Sequence, residues 1–171
     1  MNNSQSDPDY TRYSVAVDRF SMERDRTERL NGRAGEAVGI SGTLMALFLG
    51  LGNSVVSGVQ KTNALLPYLQ ASLVVGLILF SIDLFVFLLA FRVQKYRMDP
   101  NPSGLIGELA DLSHRELIRQ LTTNLVGATI YNHNLNNSKA KVIRRGFYLL
   151  GFSILVVLSF GVTLVVALAI Q

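Results

Sequence analysis

The chain has 171 residues, 49% apolar and 16% charged, with a formal net charge of +4. That length fits one domain, and the absence of cysteine excludes disulfides, thiolate metal sites and cysteine nucleophiles. The charges are crowded into residues 7–36 and 92–145, a segregation that bilayer crossings produce because charge is costly at membrane depth.

The amino-terminal stretch MNNSQSDPDYTRYS is polar and has no apolar h-region, so it predicts no cleaved signal peptide. Residues 1–6 read as disordered. A helix then starts with Asp7 as N-cap, Pro8 at the first helical position and Asp9 where the helix dipole favours an anion. Tyr10, Tyr13, Val17 and Phe20 recur at three- and four-residue spacing and predict its apolar stripe. Farther on the helix is densely charged, with Arg24–Glu28 and Asp25–Arg29 set for (i, i+4) pairing. It is either a solvated helix outside the membrane or a basic helix resting on anionic headgroups, where each cation contributes about 1 kcal/mol.

Residues 34–59 predict a first membrane crossing, rich in small side chains. Gly35, Gly39, Gly42, Ala46 and Gly50 follow at spacings of three or four and share one helical face. Small residues let another backbone approach closely in lipid, so this face packs against another span, meets a second subunit or lines a pore. Glu36 and Arg33 form an expected interfacial pair, and Asn53, Ser54 and Ser57 make the far end polar. A connection at 60–67 carries a single charge, Lys61.

The most apolar stretch is 68–91, YLQASLVVGLILFSIDLFVFLLAF, followed by Arg92, Lys95 and Arg97. At 1.5 Å per residue it makes a helix of roughly 36 Å, enough to cross a hydrocarbon core of about 30 Å. Within it stands Asp83, about 13 Å along the helix from Arg92. A carboxylate at that depth costs on the order of 3 kcal/mol, and none of the three apolar runs holds a Lys, Arg or His to pair with it. Asp83 is therefore protonated, hydrogen-bonded to a residue such as Ser41, Thr43, Ser153 or Ser159, or exposed to a water-filled pathway. Ser81 and Gln70 add polarity without a motif.

Residues 98–104, MDPNPSG, read as a linker, since Pro100 and Pro102 bias their predecessors away from helix. Residues 105–112 predict a short helix. Ser113 and Glu116 have capping-box spacing ahead of Leu117, Leu121, Leu125, Ala128 and Leu135, so a second amphipathic helix starts there. Residues 131–141 are rich in Asn but hold no Pro or Gly, leaving that helix free to continue into a third crossing at 146–170. The expectation is an all-α membrane protein with three transmembrane helices and two cytoplasmic amphipathic helices. Its segments are 1–33, 34–59, 60–67, 68–91, 92–145 and 146–170. Of sixteen Lys and Arg, six precede the first crossing and nine lie between 92 and 145. The positive-inside rule thus places the amino terminus inside and the carboxyl terminus outside, across an inner or plasma membrane.

No Gly-rich phosphate loop, nucleophile elbow or metal-ligand spacing occurs, and His114 and His133 stand apart. The expectation is no enzyme, no cofactor, no metal site and no nucleic-acid partner. Three spans cannot enclose a solute pathway, so transport would need a homo-oligomer, with the small-residue face of the first span as its natural contact.

The stretch RTERLNGRAGEAVGISG, residues 26–42, resembles the entrance to the membrane domain of small prokaryotic proteins of the SLATT and Pycsar-effector transmembrane type. In those, a charged helix of pattern R-x-x-x-L-x-x-[KR]-A leads into a Gly-rich span. Residues 121–139, with Asn134 and Lys139, are similar to the cytoplasmic helix that feeds their last span. The resemblance implies a self-associating protein that damages or depolarises the membrane when a nucleotide signal arrives, as in antiphage defence. This chain departs from the pattern in having no separate ligand-binding domain. The alternative expectation is a non-conducting scaffold, or a subunit of a larger membrane complex, that binds a protein partner through its cytoplasmic helices.

Overall fold

The computed structural model describes residues 8–59, 63–91, 96–98, 107, 109 and 111–170, the side chains of residues 51 and 53–57 excepted. The expected disorder of residues 1–6, the Asp7 cap, Lys61, Arg92, Lys95, the linker beyond Met98 and half of the short helix expected at 105–112 lie outside these residues, and the described half of that stretch is turn and bend. So do the side chains of Asn53, Ser54 and Ser57. Among the described residues every regular element is a helix: α1 (Pro8–Gly58), α2 (Leu66–Ala90) and α3 (His114–Ala169).

α1 continues without interruption across the segment boundary at residues 33–34, and α3 continues through its Asn-rich stretch into the apolar run, as the lack of Pro and Gly there allows. A glycine costs about 1 kcal/mol in a helix interior, which packing offsets, whereas proline would end the helix. α1 holds no proline after Pro8. The capping box forms at the start of α3: the Ser113 amide and hydroxyl both donate to Glu116 Oε2, the amide at 3.2 Å, and the Glu116 amide donates to Ser113 Oγ at 3.4 Å. α2 has no side-chain cap on its own first turn and carries Pro67 there.

The chain divides into two compact units. The first comprises Met1–Leu30 and Val93–Lys139, the second Asn31–Arg92 and Ala140–Gln171. In the first unit, side-chain bonds join α1 and α3 residues 106 to 113 positions apart. That nearly constant offset means parallel helices. The α1 face turned inward runs Asp9, Tyr13, Ala16, Phe20, Glu23, Thr27, Leu30, the alternating spacing of a coiled-coil seam. It is not the predicted stripe, because Tyr10 and Val17 are exposed. The apolar search missed a seam in which Asp9, Glu23 and Thr27 take inward positions. Arg24–Glu28 pairs at 3.5 Å as expected. Asp25–Arg29 and Arg33–Glu36 are not among the ion pairs of the described residues.

The second unit packs three helical segments, with α2 antiparallel to the other two. On α2, Leu69, Gly76, Asp83 and Ala90 are buried every seventh residue, with Phe80 and Phe87 between them. Phe48 of α1 makes edge contacts with Phe80 and Phe160 at 6.2 and 5.2 Å between centroids. Gly76 and Gly146 admit the rings of Phe48 and Phe87; a methyl on Gly146 would stand 2.5 Å from the Phe87 ring. Asn63 fastens the end of α3 by donating to the Ala167 carbonyl at 2.9 Å.

Two helices, α2 and α3, are long and apolar enough to cross a membrane. Only 28% and 17% of their most apolar windows are buried inside the structure, where a soluble core helix would be mostly covered. Large side chains face outward instead, among them Phe85, Leu155, Val162 and Val165, each more than 60% exposed. α1 is not among these helices; the side chains of residues 51 and 53–57, within its 34–59 stretch, lie outside the described residues. Where three apolar crossings were expected, the described residues contain two.

Candidate functional site

Asp83 lies at a seam position of α2 and is fully buried in the second unit. Ser153 of α3, also fully buried, donates its hydroxyl to Asp83 Oδ2 at 2.6 Å. The same hydroxyl lies 3.1 Å from the Leu149 carbonyl, the backbone partner a helical serine ordinarily uses. On α1, the offset that pairs Phe48 with Phe160 also sets Ser41 level with Ser153. Ser41 is fully buried, and neither its hydroxyl nor Asp83 Oδ1 has a hydrogen-bond partner among the described residues. Each helix thus contributes one polar side chain to a layer of the seam. Phe48, Phe80 and Phe160 pack farther along that core.

Of the four residues expected to serve Asp83, the structure brings Ser153 to it. Thr43 donates to the Gly39 carbonyl of its own helix instead, at 2.9 Å, and Ser159 is exposed. Ser81 does the same toward Leu77 at 2.8 Å and is exposed, as is Gln70. The arrangement holds one carboxyl in a low-dielectric seam against a single hydroxyl donor. Among the described residues no group of His, Asp or Glu could hold a metal ion.

The small-residue face of α1 is elsewhere. Gly35, Gly39, Ala46 and Gly50 are exposed and Gly42 is half-buried. A methyl on Gly39 or Gly42 would meet nothing within 4 Å, and one on Gly35 would touch the Phe91 ring at 3.5 Å. The residues α1 turns to α2 and α3 are Ala34, Ala37, Ser41, Phe48 and Gly52. Among the described residues the stripe is thus covered only in part, by Phe91 at Gly35 and at half-buried Gly42, and is open at Gly39 and Ala46.

The first unit holds a polar cluster that sequence patterning did not single out. Glu23 accepts from His133 Nδ1 at 2.8 Å and from Asn136 Nδ2 at 2.9 Å. Asn136 also donates to the Glu23 carbonyl and accepts from Thr27 Oγ1, each at 3.0 Å. Arg26 reaches Asn137 Oδ1 at 2.7 Å. Asn132 clasps the backbone of Arg97, accepting from its amide at 3.0 Å and donating to its carbonyl at 2.9 Å. Burial pushes the Glu23 carboxyl up, but the bonds from His133 and Asn136 outweigh it and hold the group below its ordinary range. At the start of α1, Asp9 accepts from Arg115 and Arg119 at 2.9 and 3.0 Å, and the Arg115 bond lowers its pKa most. Asn134, by contrast, is exposed, and Lys139 is half-buried with its ammonium pushed down by desolvation. Asn132 and Asn136 continue the three- and four-residue spacing of Leu125 and Ala128, so extending that periodicity through the Asn-rich stretch would have found them.

No family model, curated protein or solved structure matches this chain.

Proposed function

We propose that the chain is a self-associating integral membrane protein whose action on the bilayer belongs to the assembly, channel-like or membrane-disrupting, and involves no catalysis. In this reading α2, the apolar half of α3 and residues 34–59 of α1 each cross the membrane, with the amino terminus inside and the carboxyl terminus outside. The observation that carries it is the open space over Gly39 and Gly42, where an added methyl meets nothing within 4 Å, so that among the described residues α1 keeps room for a close approach there. In lipid such faces associate through packing and backbone proximity. A second copy is the partner that needs no further component, and copies meeting there would surround a path that three helices cannot enclose. The likeness of residues 26–42 to prokaryotic defence effectors agrees with this use.

A second reading, a non-conducting scaffold or complex subunit, draws on Asp83. Its carboxyl is sealed in the seam and bonded to Ser153, as befits a residue that sets helix register. Ion flux from liposomes carrying the full-length protein, measured at several pH values, separates the two. The leading reading predicts flux that disappears in Gly39→Leu/Gly42→Leu and survives Asp83→Asn. Tight liposomes under every condition would leave the scaffold reading standing.

A further inference from the structure

Among the described residues the first unit contains two helical segments, and their pairing leaves a groove of about 510 Å³ along one flank. Its floor includes Val15, Ala16, Val126 and Ile130, with Arg12 and Arg19 on the α1 side. Val15, Val126 and Ile130 are 54%, 45% and 59% exposed, although this unit is the polar part of the chain. By helical spacing, Phe20 lies on the opposite flank of α1, where the Tyr96 ring covers it at 6.0 Å between centroids. Among the described residues one flank of the pair is covered and the other is open.

The open flank is basic in a regular way. Arg12, Arg19 and Arg26 recur every seventh residue, so they line one side of the helix. Arg26 is engaged by Asn137 and by Glu23, the latter at 3.6 Å. Arg19 is exposed and enters no ion pair among the described residues. Arg12 lies 3.9 Å from Asp9, but that one carboxylate also serves Arg115 and Arg119. Arg12 and Arg19, both lining the groove and both exposed, make this flank positive.

We propose that this groove seats a third helix, amphipathic and acidic, supplied by a partner protein. Its apolar face would fill the strip between Val15 and Ile130. Carboxylates seven residues apart, roughly 10 Å along a helix, would meet Arg12 and Arg19 as flanking charges do in coiled coils. Charge argues against a second copy here, because a two-fold pairing would set one arginine row against the other. Shape argues against a flat bilayer surface, since the apolar strip is recessed between two helices. The inference rests on the first unit alone and holds whether or not the assembly conducts.

The test uses full-length protein in nanodiscs of neutral phosphatidylcholine and a fluorescent synthetic helix of about three heptads, with Leu and Ile on its seam and Glu on both flanks. Saturable binding is expected. It should weaken at least about tenfold in Arg12→Glu/Arg19→Glu and in Val15→Asp, and persist in Arg12→Lys/Arg19→Lys, whose charges are kept. A matching helix with Lys in place of Glu should not bind. Absence of binding, or equal binding by the charge-reversed variant, would overturn the proposal. So would slowed amide exchange of residues 12–19 and 122–130 on adding anionic lipid without the helix, which would assign the groove to the bilayer. The exposed arginine variants should keep the wild-type circular dichroism spectrum, which separates lost binding from lost folding.

Discussion

Asp83 is bonded through one carboxyl oxygen, and the donor is a serine hydroxyl rather than a cation. Removing that donor leaves a buried carboxyl with no partner, which costs about 1–3 kcal/mol, whereas an amide at position 83 still accepts through its oxygen. Ser153→Ala is therefore expected to destabilise the purified protein by that amount in denaturant titration, and Asp83→Asn by less than about 1 kcal/mol. The reverse ranking would show that the Asp83 carboxyl is used for something other than packing. In the first unit Glu23 is held below its ordinary value of 4.5. Its contribution is therefore fully present above that pH and is lost as pH falls through the lower folded value. Amide exchange of residues 8–30 and 114–139, taken relative to the intrinsic rate at each pH, should accelerate as pH falls below the ordinary carboxyl value of 4.5. Glu23→Gln should be faster already at neutral pH and show a shallower acid response.

At the scale of elements, each glycine answers to what faces it. A methyl on Gly76 would overlap the Phe48 ring, which Phe80 and Phe160 hold from either side. Gly76→Ala should cost about 1–3 kcal/mol by overpacking. Gly39→Ala meets nothing and should gain up to about 1 kcal/mol from helix propensity in the monomer. Thermal unfolding of the two variants in one detergent checks both signs. The helices themselves were legible because apolar runs, the capping box at Ser113 and the scarcity of proline are local signals. Which face each helix buries was less so. The α1 seam of the first unit passes through Asp9, Glu23 and Thr27, and that of α3 through Asn132 and Asn136. A search for apolar periodicity passes over such positions, since their burial depends on partners distant in the chain, 35 residues away for Asn132 and more than 100 for the others. Asp83 was conspicuous for being charged in an apolar run, and Ser153 was one of several serines able to reach it until register selected it.

For the whole molecule, the small-residue stripe has the most to decide. Its spacing was plain, yet periodicity alone does not say whether a close-approach face is used inside the chain or outside it. With open space over Gly39 and Gly42 among the described residues, the account requires a second copy at that face. The most direct measurement is the mass of the full-length protein in detergent, by light scattering, for wild type and Gly39→Leu/Gly42→Leu. The account predicts a defined oligomer for the wild type and a folded monomer of 18.8 kDa for the variant. A wild-type monomer, or an oligomer that both leucines leave intact, would contradict it.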